Sequence, residues 1–297
     1  MKAKIILLSL LITITFPNTF SQKSVSEQKS FDYFGQIPPK DSATVFAPGI
    51  ISDTAKQAHD LAISPYGDEV FFARGVWPHS KIMYMKKMGD KWLLPDTAIF
   101  SKDCWATEPA FSPDGQYLYF STSKGETNIK NYSLWRVKKI KKGWSQPESL
   151  FDVGGDSIFE FHPTITSDGL IYFCGWKAKN ATGDIYVSRC GSNKCSDPIK
   201  IGTPISTGYN VVDPYVSPDG TYMIFASDQP GGYGGLDQYI SYRNNDGTWT
   251  SPKNLGPKFN TRDDDYDMDI SPDGKYIFIY LKKSSIYWMP IGNLICR

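Results

Sequence analysis

The sequence predicts an all-β chain folded as a single five-bladed propeller, with six blades as the alternative count. Three observations predict it: a short motif recurs five times, strand-forming residues follow every copy, and the last unit stops short while the N-terminal region offers a spare strand. Periods of about 50 residues containing several short strands are the signature of propeller blades.

The motif is a polar residue, an apolar stretch and a Ser-Pro-Asp-Gly-like turn. Its copies run Asp60–Gly67, Glu108–Gly115, His162–Gly169, Asp213–Gly220 and Asp267–Gly274. The turns begin at Ser64, Ser112, Thr166, Ser217 and Ser271, at intervals of 48, 54, 51 and 54 residues. In Ser112-Pro113-Asp114-Gly115, Pro sets φ at the second position and Gly accepts positive φ at the exit, so each copy reads as a tight hairpin turn.

A second strand follows each turn: Val70-Phe71-Phe72, Leu118-Tyr119-Phe120, Ile171-Tyr172-Phe173, Met223-Ile224-Phe225 and Ile277-Phe278-Ile279. Third strands follow at Ile82-Met83-Tyr84, Leu134-Trp135-Arg136-Val137, Ile185-Tyr186-Val187, Gln238-Tyr239-Ile240 and Ile286-Tyr287-Trp288. A fourth opens with Trp92, Trp144 or Trp249 and a Pro three residues on, with Cys195 and Pro198 in the third unit. β-Branched and aromatic residues in short runs bounded by turn residues are strand chemistry. The fifth unit lacks a fourth strand, and Thr44–Ser52 resembles Ile199–Ser206, the fourth strand and exit of another unit. An N-terminal strand completing the C-terminal blade would close the ring and remove two open sheet edges.

The first segment reads as an address. Lys2 and Lys4 precede an apolar run from Ile5 to Phe16, and Thr19 and Ser21 stand at −3 and −1 of a cut before Gln22. That is a secretory signal peptide, too short to span a bilayer. The expected organisation is a signal peptide at 1–21, an N-terminal tail at 22–40 and a propeller at 41–297, exported to the periplasm or beyond without membrane insertion. The 32 Lys+Arg nearly balance 31 Asp+Glu, and loss of the two leader lysines shifts the net charge from +1 to −1. Such a chain lacks the concentrated positive charge that nucleic acids and anionic membranes require. In an oxidising compartment Cys190 and Cys195 could close a local disulfide, whereas Cys104, Cys174 and Cys296 have no evident partners. That pair, without a second pair or a nearby His, makes a weak zinc motif.

The Ser-Pro-Asp-Gly turn, the Gly-x-x-Asp-x-Tyr third strand at Gly235-Leu236-Asp237-Gln238-Tyr239 with its relative Gly183-Asp184-Ile185-Tyr186, and Gly143-Trp144-Ser145-Gln146-Pro147 resemble the TolB-like propeller repeats of exported bacterial proteins. The resemblance covers nearly the whole chain beyond the leader and implies a propeller used mainly for binding. TolB itself has six blades and an additional N-terminal domain, which this sequence does not show, so TolB's own role does not carry over.

Candidate functional residues come from the same register. Four positions before each turn stand Asp60, Glu108, His162, Asp213 and Asp267, polar every time. A propeller's first strands line its central channel, so these five should ring one mouth of it and are the candidate ligand-binding set. Two carboxylates about 8 Å apart repel by roughly 2 kcal/mol at an effective dielectric of about 20. The acids must therefore bond to the neighbouring blade or recruit a cation or polar ligand. Asp265, Asp267 and Asp269 fall on one strand face, which suits a hard cation such as Ca²⁺ with its oxygen ligands; no cofactor is otherwise implied. Pro230–Gly235 reads as a flexible link. Trp92, Trp144 and Trp249 repeat at one structural position and read as packing, whereas Trp77, Trp105 and Trp176 are off-register candidates for a surface platform. His59 abuts Asp60, a pairing usable for acid–base chemistry.

The reading that results is a non-catalytic binding or scaffold module for a protein or carbohydrate ligand. The competing class is a glycosidase using carboxylates among Asp60, Glu108, Asp213 and Asp267. Recurrence with the blade favours binding, since a catalytic pair has no reason to repeat.

Overall fold

The computed structural model describes residues 31–297 except 54–55, 78, 124–131, 152–157, 178–181, 193, 282–284, 293 and 296–297. The expected leader and Cys296 lie outside the described residues. No helix among those described is long and apolar enough to cross a membrane.

Five antiparallel sheets form the five blades of a propeller. Blade 1 comprises Ala58–Ile63, Glu69–Arg74, Lys81–Met88 and Lys91–Trp92, and blade 2 comprises Ala106–Phe111, Tyr117–Thr122, Ser133–Ile140 and Gly143–Trp144. Blade 3 comprises Ile158–Ile165, Leu170–Lys177, Gly183–Arg189 and Ile199–Lys200, and blade 4 comprises Val211–Val216, Tyr222–Ser227, Asp237–Tyr242 and Lys253–Asn254. Blade 5 takes Met268–Ile270, Tyr276–Leu281 and Ser285–Pro290 from the C-terminal region and Thr44–Val45 from the N-terminal region. The first strands of neighbouring blades lie against one another and enclose the channel.

The repeated turn works as its chemistry predicts. The hydroxyls of Ser112, Thr166, Ser217 and Ser271 each donate to the Asp two residues on, at 2.5–2.7 Å. The same oxygens accept the first amide of the next strand, as Ser112 Oγ does from Tyr117 N at 2.9 Å. Gly115, Gly169, Gly220 and Gly274 close the turns at φ between 64° and 84°. In the first copy Tyr66 replaces the Asp. Ser64 there donates to Asp68 instead, and the Tyr66 hydroxyl reaches the Asp114 carbonyl of the next turn at 2.9 Å.

The second strands are buried on both faces because each blade is stacked between two others; Val70, Phe71, Phe72, Leu118, Phe120, Ile171 and Phe173 are fully buried. The repeated tryptophans fill grooves between blades. Trp144 of blade 2 lies edge-on to Phe71 of blade 1, and Trp249 of blade 4 edge-on to Tyr172 of blade 3. In blade 3 the corresponding bridge is Cys190 with Cys195, which form a disulfide.

The N-terminal strand closes the ring as expected, with Thr44 opposite Trp288 and Val45 opposite Tyr287, and the pairing continues with Phe46 N donating to Ile286 O at 2.8 Å. Phe46 and Trp288 are wholly buried there, against Phe278. Residues of the segment read as a tail join this cluster. Phe31 and Tyr33 are buried, and Asp32 accepts from Lys87 Nζ at 2.6 Å and Trp92 Nε1 at 3.0 Å, so the segment clasps blade 1 to blade 5. Replacing a buried aromatic by Ala in such a cluster costs about 3–5 kcal/mol. Phe46→Ala should lower stability by that amount in denaturant unfolding; a loss under about 1 kcal/mol would mean that the closing strand contributes little.

Candidate functional site

Asp60, Glu108, His162, Asp213 and Asp267 all adopt left-handed backbone, with φ of 51°, 55°, 51°, 50° and 52°. No other first-strand residue among those described does so. In blades 1 to 4 the ladder register shifts at this point, between His59 and Leu61, Thr107 and Ala110, Phe161 and Thr164, and Val212 and Tyr215. Those four copies therefore carry a bulge at the polar residue, and Asp267 takes the same left-handed backbone immediately before the first strand of blade 5. A bulge sets two successive residues against one on the partner strand and breaks the alternation of faces. A non-glycine residue held at positive φ costs on the order of 1 kcal/mol, so its repetition in five blades needs a compensating interaction.

The compensation lies between blades. Asp60 Oδ2 accepts from Glu108 N at 3.1 Å and Thr107 Oγ1 at 2.5 Å, both in blade 2. Glu108 Oε2 accepts from His162 N of blade 3 at 2.7 Å and from Ser121 Oγ at 2.7 Å. The Asp213 carboxylate accepts from the Asp267 amide. Asp60, Glu108 and Asp213 thus each bond the left-handed residue of the next blade, running the same way round the ring.

The electrostatics follow from burial and these partners. Burial opposes the charge on Asp60, but the cation of His59, whose Nδ1 lies 2.7 Å from Asp60 Oδ2, outweighs it and holds the carboxyl down at about 2. Burial likewise opposes charge on His59, and Asp60 overrides it, raising the imidazole to about 9. His59 Nε2 bonds Ser80 Oγ at 2.9 Å. Burial, with the Asp60 charge beside it, raises Glu108 to about 8. Burial and the neighbouring Asp267 raise Asp213 to about 7.

A cavity of about 390 Å³ opens at this mouth of the channel. Asp60, Glu108, Asp213 and Asp267 lie among its lining residues, and Trp77, Phe161, Trp176, Tyr266 and Tyr280 give it aromatic walls. Four of the five ring residues thus share one cavity, while His162 is buried and does not line it. Of the off-register tryptophans, Trp77 and Trp176 belong to this wall, and Trp105 instead packs against His79 with ring centroids 4.0 Å apart. His59, Phe161, Val212 and Tyr266 all stand one residue before the bulge and all line the cavity. Extending the repeat by one residue towards the N-terminus would have found them.

The acidic run serves other ends than the shared cation face expected of it. Asp267 stands in left-handed backbone before the strand begins at Met268, so the alternation that would align Asp265, Asp267 and Asp269 does not hold, and these three carboxylates do not gather within reach of one ion. Asp265 instead accepts from Thr261 N and Thr261 Oγ1, and Asp264 from Leu236 N. Asp269 lines a second cavity beside the Ser-Pro-Asp-Gly turns. The link at Pro230–Gly235 is pinned rather than loose. Asp237 accepts from Tyr233 N and Gly234 N, and a Cβ at Gly232 or Gly235 would overlap the carboxylates of Asp237 and Asp264.

The sign of the pH dependence is fixed by the His59–Asp60 pair. Stabilisation through His59 is complete below its ordinary pKa of 6.5 and is lost as pH rises through about 9. Stabilisation through Asp60 is complete above 3.8 and is lost as pH falls through about 2. His59→Asn should therefore cost about 3 kcal/mol between pH 3.8 and 6.5. The deficit should shrink above pH 9 in paired thermal melts. An offset that stays constant from pH 6.5 to above pH 9 would contradict the pairing.

No family model matches the chain, and no curated protein matches it by sequence. Solved structures similar in fold include a TolB from Agrobacterium tumefaciens, at 16% identity and TM-score 0.51, covering 76% of this chain and 70% of that one. A TolB from Acinetobacter baumannii has 14% identity and TM-score 0.49 over 79% of this chain and 54% of its own. A thermostable family-43 glycoside hydrolase has 14% identity and TM-score 0.50 over 79% and 88%. At these identities the likeness is one of architecture: the chain has a TolB-like β-propeller fold, and a glycoside hydrolase is built on a similar one.

Proposed function

We propose that the protein is an exported, non-catalytic binding module whose ligand is a small polar molecule of the saccharide class, seated at the channel mouth. The observation that carries this reading is the convergence of aromatic walls on an acidic floor in a cavity of about 390 Å³. That volume suits a small molecule better than a protein segment. Carboxylates accept hydroxyl protons, and flat aromatic faces pack against the C–H faces of sugar rings. Asp60 and Glu108 each commit one oxygen to the next blade and keep the other for a ligand. The ionised Asp60 then offers a ligand a fixed acceptor and the protonated Glu108 a fixed donor.

One observation favours the enzymatic alternative. Asp60 is held down at about 2 while Glu108 is raised to about 8, so an ionised and a protonated carboxyl share one cavity, the division a glycosidase uses. Against it, their bonds to Thr107, Ser121 and two backbone amides hold both groups in the ring, and the same pattern recurs at Asp213, where no such split exists.

Titration with a panel of oligosaccharides, followed by tryptophan fluorescence, tests the reading. Trp77 is half exposed, so Trp77→Ala should keep the fold while weakening binding roughly tenfold. Absence of saturable binding across the panel would overturn the ligand class. Turnover that Glu108→Gln abolishes would replace the binding reading with the hydrolase. Export is tested by N-terminal sequencing of the mature protein, expected to begin at Gln22.

A further inference from the structure

His162, Asp213 and Asp267 bring one side-chain atom each from blades 3, 4 and 5 to a common point, all within 4.8 Å of one another. His162 is 5% exposed, and its Nδ1, 3.4 Å from Asp267 Oδ1 and 3.8 Å from Asp213 Oδ1, makes no well-formed hydrogen bond among the described residues. Separations of 3.4 and 3.8 Å are long for a hydrogen bond. They are close to the edges of a coordination polyhedron, since ligands at about 2.0–2.2 Å from a metal ion stand roughly 3.0–3.6 Å apart.

We propose that these three side chains bind one divalent first-row transition-metal ion, Mn²⁺ or Zn²⁺, beneath the cavity. An imidazole nitrogen with two carboxylate oxygens suits those ions better than Ca²⁺ or Mg²⁺, which prefer oxygen alone. The two aspartates line the cavity and His162 does not, so the remaining coordination positions face the cavity. The site needs no residue of the aromatic walls, and although it shares Asp213 and Asp267 with the acidic floor, metal binding is measurable without any saccharide.

The test titrates the chelator-stripped full chain with MnCl₂ and with ZnCl₂ by calorimetry, without any saccharide present. Pulsed EPR is then recorded on the Mn²⁺-loaded protein. One equivalent of metal should bind with a rise in Tm, and the EPR spectrum should carry imidazole-nitrogen coupling. His162→Gln, with circular dichroism confirming its fold, should lose at least about 100-fold in affinity. Asp267→Asn serves if that variant does not fold, with the same loss expected. Failure of the wild type to bind either ion stoichiometrically would overturn the proposal, as would a spectrum without nitrogen coupling. Undiminished affinity in a folded variant would do the same.

Discussion

The structure depends on one repeated interaction, a side chain in left-handed backbone whose carboxylate accepts the amide of the equivalent residue in the next blade. Neither part accounts for the other alone. Positive φ is costly at Asp or Glu, and a buried carboxylate is costly without donors. Together they offset each other: the bulge turns the Glu108 and His162 amides out of their own ladders, and Asp60 and Glu108 satisfy them. The product is a set of like-directed hydrogen bonds at three blade junctions that also fixes where the acidic groups stand. Function and closure therefore draw on the same atoms, and the oxygens left over define what the mouth offers a ligand.

Closure of the ring is the second constraint, and it has a different physical origin. Among the described residues the N-terminal strand contributes only Thr44 and Val45 to the ladder, too few backbone bonds to hold blade 5 against blade 1. The apolar cluster around Phe46, Trp288 and Phe278 and the bonds of Asp32 to Lys87 and Trp92 supply the rest. A propeller without such a clasp exposes two sheet edges, so the segment 31–47 belongs to the stability of the whole ring.

Most of the fold was legible because the repeat states its own physics. Ser112, Asp114 and Gly115 form the turn that their side chains dictate, and Trp144 packs between blades as a residue repeated at one position should. The five polar positions were legible as a set, but their conformation was not. Nothing in Asp60 or His162 announces positive φ, which arises only when the next blade supplies the amide and the channel crowds the strand. For that reason the alternation assumed for Asp265, Asp267 and Asp269 failed, and His59, Phe161, Val212 and Tyr266 went unnoticed as wall residues. Trp77 and Trp176 were separable from Trp92, Trp144 and Trp249 by register alone, because a residue outside the repeat is not needed by every blade. Asp265 read as part of a cation face, whereas it and Asp264 bond the amides of Thr261 and Leu236, contacts that a charge pattern does not encode.

The chain of amide-to-carboxylate bonds makes a prediction that belongs to no single residue. Native-state hydrogen exchange, resolved at the amides of Glu108, His162 and Asp267, reads it directly. If the ring holds the blades together, these amides exchange only through global unfolding, as slowly as those of Phe72 and Phe120 in the blade cores. Exchange at His162 or Glu108 as fast as in an exposed loop, with the cores still protected, would contradict the account.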